Sequence, residues 1–276
     1  MSHVLVEFPP RTPRKPARQS PMIQSTRYLA VLSRLSVAAI VSMTALPSQG
    51  SPQGGNVVVL RVGDGTGARS SSATKIFMDV YDSNHNLIAK IPVDDAPPAP
   101  ELPVTISGTA VGEGQLTLSD DNQYLVCAGY GTPAGLSNVA TSSSATVPRV
   151  VCRISMGGTI HATTSLGTAF SGSSIRSAAS LDGQQFYATG SSGGVQYALF
   201  GASTATQINS AAPVDLRVAN VHAGQLYVSS ATGSFHGVGT VGSGLPTTGG
   251  QIPVLLSGFP PVAGPSSHDF FFADAN

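Results

Sequence analysis

Three stretches, LTLSDDNQYLVCAG (116–129), SAASLDGQQFYATG (177–190) and RVANVHAGQLYVSS (217–230), decide the fold. Each opens on a short run of apolar and small residues and passes through a turn centred on Asp121, Asp182 or Ala223. Each then resumes as an aromatic-containing strand, at Tyr124 to Val126, Phe186 to Ala188 and Leu226 to Val228. Short β-rich runs separated by Gly, Asn, Asp or Ser steps are strands joined by turns. The turn positions lie 61 and 41 residues apart. A period of about 40 to 50 residues with four strands per unit is that of a β-propeller. The longer interval is then one unit with an inserted loop, the Ser-, Thr- and Gly-rich segment from Gly131 to Pro148.

The same pattern extends in both directions. NVVVLRVG (56–63), KIFMDVYD (75–82), LIAKIPV (87–93), QYLVCAGY (123–130) and RVVCRISM (149–156) all read as strands, with no helical segment between them. The units fall at about 55–100, 105–168, 170–210 and 213–258, and a fifth starts near Gly264. Its opening strand, SHDFFFADAN (267–276), aligns with the first strands of the two preceding units and puts Asp274 at the turn position, 51 residues after Ala223. The expected fold is therefore all-β, a propeller-like array of four-stranded antiparallel blades over 51–276. About four blades and the start of a fifth are expected, as the N-terminal part of a longer ring. Open sheet edges in such an array favour association.

Composition narrows the function classes. The chain has 276 residues, no Trp, and only 10% charged residues, against about 25% in an average globular domain. Its net charge of zero divides unevenly: residues 1–50 hold six basic residues and one acid, and the rest holds eight basic and thirteen acidic. The body thus carries about −5, which argues against a nucleic-acid partner. The 31 Gly and 20 Pro residues also break any long 3.6-residue periodicity, which excludes coiled coils.

The basic segment 1–50 reads as an export leader. LAVLSRLSVAAIVSMTAL (29–46) is apolar apart from Arg34 and a few hydroxyls, follows Arg18 and Arg27, and is followed by small and turn-forming residues. Ser48 and Gly50 suit cleavage before Ser51, and Met22 is an alternative start to Met1. The expected location is secreted or cell envelope. An organelle transit peptide is the rival reading, and an uncleaved leader would be the only membrane contact; the apolar run is short for a span of about 20 residues.

Several motifs carry a resemblance: VVVLRVGDGTG (57–67), the IFMDVYD hairpin, NVATSSSATVPRVVCRI (138–154), FSGSSIRSA (170–178), GQLYVSSATGSF (224–235), VGTVGSGLPTTGGQ (238–251) and GFPPVAGPSSHDFFFADAN (258–276). Together they resemble secreted, uncharacterised bacterial-type β-propeller proteins over nearly everything after residue 55. That resemblance implies an export signal and further blades, and it brings no catalytic residues with it.

One candidate site follows from the repeat register. Arg176, Arg217 and His268 each lie six residues before a turn position, so equivalent depths are expected. First strands line a propeller's channel, and the three side chains would form an arc at one mouth able to hold an anion, with Arg offering bidentate donors. The alternative is that each Arg binds carbonyls or an acid of the neighbouring blade. Cys127 and Cys152 lie in successive strands joined by a loop and are candidates for a cross-strand disulfide, against two buried free thiols.

Other motifs are bland. Asp94–Asp95 and Asp120–Asp121 read as solvated turns, because neither pair has calcium-loop spacing. Asp64 in GDGTG is a turn, with no Lys-Ser/Thr pair following it. GSSGG (190–194) is no nucleophile elbow, and His222 and His236 read as turn or strand-face residues. No cofactor, metal site or catalytic set is implied. The leading expectation is a non-enzymatic extracellular or envelope scaffold that binds a protein, glycan or small anion. A propeller enzyme (lyase, lactonase-like hydrolase or quinone-dependent oxidoreductase) and a non-functional fragment are the alternatives.

Overall fold

The computed structural model describes residues 5–7, 55–260, 264 and 266–272. The chain is all-β, built of several antiparallel sheets, none of them closed. The strands are β1 (Leu5–Glu7), β2 (Val57–Val62), β3 (Ala73–Tyr81), β4 (Leu87–Val93), β5 (Thr105–Ser107), β6 (Thr117–Leu118), β7 (Tyr124–Tyr130), β8 (Arg149–Ser155) and β9 (Ile160–Ser165). They continue with β10 (Ile175–Ala179), β11 (Gln185–Gly190), β12 (Gln196–Leu199), β13 (Thr206–Gln207), β14 (Ala219–His222), β15 (Gln225–Thr232), β16 (Phe235–Val241) and β17 (Pro253–Leu255). A 3-10 turn, Val139–Thr141, lies in the loop between β7 and β8. No helix among the described residues is long and apolar enough to cross a membrane.

Two of the expected four-stranded units stand as separate sheets, β10-β11-β12-β13 and β14-β15-β16-β17, each antiparallel with neighbours in chain order. The first two expected units instead share one nine-stranded sheet. The length of β3 is the cause: its first three residues pair with β5, and the rest with β4. The leader reading of 1–50 lies outside the described residues apart from Leu5–Glu7, which pair with Val57–Val59. The expected fifth opening strand has no strand pairing over 266–272, and Asp274 lies outside the described residues.

The core forms three apolar layers between successive sheet faces. The first, with Val58, Leu60, Ile76, Met78, Leu125, Cys127 and Ile154, is enclosed where β2–β4 and β7–β9 fold over each other. The second joins Val126, Ala128, Tyr130 and Val151 to Ile175, Ala178, Phe186 and Ala188. The third joins Ala179, Tyr187 and Ile208 to Ala219, Val221, Leu226 and Val228. Alternation explains the layering: in β7, Leu125 and Cys127 face one layer while Val126 and Ala128 face the next. Phe186 and Tyr187 divide in the same way in β11. Each middle sheet is therefore apolar on both faces.

Candidate functional site

The first strands β6, β10 and β14 lie side by side across the layers. Thr117 Oγ1 donates to Ala178 O at 2.6 Å, and Ala219 N donates to Ser177 Oγ at 2.8 Å. At their far ends the turns after β6 and β10 share one chemistry. Ser119 Oγ accepts from Tyr124 N at 2.9 Å, and Ser180 Oγ accepts from Gly183 N at 2.8 Å. Asn122, Gly183 and Ala223 supply the positive φ that closes each turn.

The turns also dock on one another. Asp120 N and Asp121 N donate to Ser180 O and Leu181 O. The Asp120 carboxylate accepts Ala223 N at 3.1 Å and Gly224 N at 3.3 Å. Asp120 is thus more than a solvated turn residue, because it clamps a turn 103 positions away. Asp121 does behave as a turn residue, accepting from Ser119 Oγ and Gln123 N. Asp95 pairs with Lys75 at 3.0 Å and accepts from Ala134 N, and Asp94 caps Ala96 N.

Six residues back along the strands, the register holds. Gln115, which is also six residues before its turn at Asp121, donates its N–H to Arg176 O at 3.3 Å. The Arg176 guanidinium does not face an open channel: it forms an ion pair with Asp215 and donates to Leu216 O at 3.0 Å. That is the neighbouring-sheet partnership set out above as the alternative. Arg217 differs. Its Nη1 lies 3.4 Å from His268 Nδ1, and no carboxylate among the described residues lies within ion-pair distance of it. His268 is exposed, and its Nε2 meets Ser266 Oγ at 3.3 Å. Arg217 and His268, which share one repeat position, therefore meet, whereas Arg176 at the same position is paired with Asp215.

Cys127 and Cys152 are directly opposite in the β7–β8 pairing, both fully buried, with free thiols. The thiol–thiol hydrogen bond and burial push the Cys152 thiol well above its ordinary range.

Two further cation sites were not legible in the sequence. Arg149 is fully buried and donates to the carbonyls of Val147, Ala140 and Ser173 and to Ser142 Oγ, with its guanidinium 5.0 Å from the Tyr130 ring centre. It pins the 131–148 loop. Arg153 is sandwiched between Phe200, at 3.4 Å, and Tyr124, at 4.9 Å, and donates to Gly183 O. Beside it, His161 Nδ1 meets Glu101 Oε1 at 3.1 Å, and the other Glu101 oxygen accepts Ala162 N. Both arginines join successive layers, a structural task. Among the described residues no group of three His, Cys, Asp or Glu could hold a metal ion. No protein-family model matches the chain, and no curated protein matches it.

Proposed function

We propose that the chain is a non-enzymatic, exported β-propeller-like scaffold that binds a small anion where Arg217 and His268 meet. The observation that carries the reading is the Arg217–His268 contact at 3.4 Å between residues at one repeat position, 51 residues apart. The face-to-face stacking of sheets with their first strands side by side supports the propeller reading, and the basic apolar leader in the sequence supports export. Two neighbouring nitrogen-rich groups with no carboxylate at ion-pair distance among the described residues offer donors to a carboxylate or phosphate. Arg176 has a different task here, holding Asp215 and Leu216, and so positions the strand that carries Arg217.

Calorimetric titration of the full chain with phosphate, sulfate and citrate tests this. The parent should bind at least one of them, and Arg217→Ala should weaken that binding about tenfold or more, the worth of one charge-assisted hydrogen bond. Arg176→Ala should act less. A parent that binds none of the three, or an Arg217→Ala variant that binds as the parent does, overturns the anion site.

A further inference from the structure

Counted in fours, the strands leave β1 with a definite place. The third and fourth units are β10-β11-β12-β13 and β14-β15-β16-β17, and within the nine-stranded sheet β6-β7-β8-β9 forms the second, each paired in chain order. The first unit has only β2, β3 and β4 of its own. β1 supplies its first strand, antiparallel to β2 as β6, β10 and β14 are to β7, β11 and β15. The register is alike too. First-strand residues stand opposite buried second-strand residues: Leu118 opposite Leu125, Ala178 opposite Ala188 and Val221 opposite Leu226. In the same way Val6 stands opposite Val58, which is fully buried in the first layer.

The tether differs. β6, β10 and β14 reach their second strands through the turns 119–123, 180–184 and 223–224, whereas 49 residues, 8–56, separate β1 from β2. Closing a loop costs entropy as about the 3/2 power of its length, so the β1–β2 pairing is disfavoured on the order of 30-fold against a strand joined by a five-residue turn. β1 also pairs with three residues of β2, where β3 pairs with six. A first strand held by so short a ladder on so long a tether is exchangeable.

A sheet edge recognises an extended peptide in two ways. Main-chain hydrogen bonds give affinity, and side chains at alternate positions give specificity. The β2 residues that β1 pairs with are Val57, Val58 and Val59, none of them charged. The sequence of the segment seated there, VLVEF (4–8), has an apolar residue at every second position, Val4, Val6 and Phe8. The edge thus holds an apolar, alternating strand by a pairing that carries no ionic specificity.

We infer that the edge of β2 at 57–59 is a binding site for an extended apolar peptide of a partner protein, which Leu5–Glu7 occupies in cis. The site itself depends on neither the anion nor the export reading. One consequence rests on the export reading: cleavage before Ser51 removes the cis strand and leaves the edge to a strand supplied in trans.

Hydrogen exchange and peptide binding on the full chain test the site. Alternate residues of an antiparallel strand donate to the same neighbour, so either Val6→Pro or Glu7→Pro takes a donor from the β1–β2 ladder. Both variants should keep the circular dichroism of the parent, since Leu5–Glu7 pair with β2 alone. In at least one of them the amides of residues 57–59 should exchange about tenfold faster, the worth of one hydrogen bond, with β7 and β8 unchanged. That variant, freed of the competing cis strand, should bind a fluorescent peptide of residues 2–10, SHVLVEFPP, about tenfold more tightly than the parent does. The same peptide carrying Val6→Pro and Glu7→Pro should not bind. Two variants that exchange and bind as the parent does overturn the inference, and so does a peptide that binds none of the three chains. Protection at 57–59 that rises with protein concentration in the parent would place a second copy's strand on the edge and overturn the cis assignment. Neither assay reads export or anion binding, so failure here is distinct from failure of those readings.

Discussion

Glu113 and Arg149 meet Tyr130 from two sides, one accepting the phenol proton at 2.7 Å and the other lying over the ring. Among the described residues neither charge has an ion pair at contact distance, so the two attract each other only across Tyr130, and hydrogen bonds hold each in place: Ser107 N, Tyr130 Oη and Ser174 for the carboxyl, carbonyl oxygens for the guanidinium. Burial pushes the Glu113 carboxyl above its ordinary value, against the lowering effect of those hydrogen bonds. The sign of its contribution to stability follows. Between the ordinary carboxylate range and the raised folded value, the folded chain binds more proton than the unfolded chain does. Stability from this group is therefore highest in acid and falls as pH rises through that window. Glu113→Gln removes the titration, so the stability of the parent relative to the variant should decline from pH 4 upward and then level off. Urea unfolding at a series of pH values measures it, and a difference that grows with pH contradicts the burial account.

At the scale of elements, β7 and β8 carry the Cys127–Cys152 pair between them. Opposed residues on antiparallel strands have Cα spacings of about 4.5 to 5.5 Å, inside the range a disulfide needs. Oxidation by a disulfide donor such as oxidised glutathione would close a loop of about 25 residues and stabilise the fold by about 3 kcal/mol in the chain-entropy account. Chain refolded in that donor should weigh less by two hydrogens, resist alkylation until reduced, and melt higher than the reduced chain. In Cys127→Ala the melting temperature should become insensitive to reductant. A parent whose melting temperature is equally insensitive rules the cross-link out.

The strand order of the last two sheets and this pairing were readable because they depend on neighbours along the chain: alternation, turn residues and one connecting loop. The same holds for the turns at Asn122, Gly183 and Gly224, where positive φ leaves a mark in residue type, although Ala223 beside Gly224 is also left-handed with no such mark. What was hidden depends on partners far away in sequence. Asp215 neutralises Arg176 from 39 positions away, and Phe200 covers Arg153 from the loop after β12. The merging of the first two units was hidden for a similar reason, since a nine-residue strand does not reveal that its two halves pair with different strands. The Arg217–His268 meeting was legible because both residues occupy one repeat position, whereas the presence or absence of a nearby acid leaves no periodic trace.

Over the whole molecule, the two ends of the first strands behave differently. Six strand residues span about 20 Å, with the turns at one end and Arg176, Arg217 and His268 at the other. At the turn end, Asp120 reaches past the β10–β13 sheet to the β14–β15 turn, so two sheets that are not neighbours in the stack are tied directly. In a stack where each sheet otherwise contacts only the next, stability is nearly a sum of local terms and an end sheet can open alone. The Asp120 clamp adds a non-neighbour term at the end sheet. Two N–H donors to a half-buried carboxylate are worth about 1 to 3 kcal/mol, comparable to the difference between local and global opening. Asp120→Ala should therefore raise amide hydrogen exchange selectively in β14 to β16 while leaving β7 and β8 protected as before. A uniform rise across all sheets would mean that the array opens as one body and that the clamp only adds to a common total.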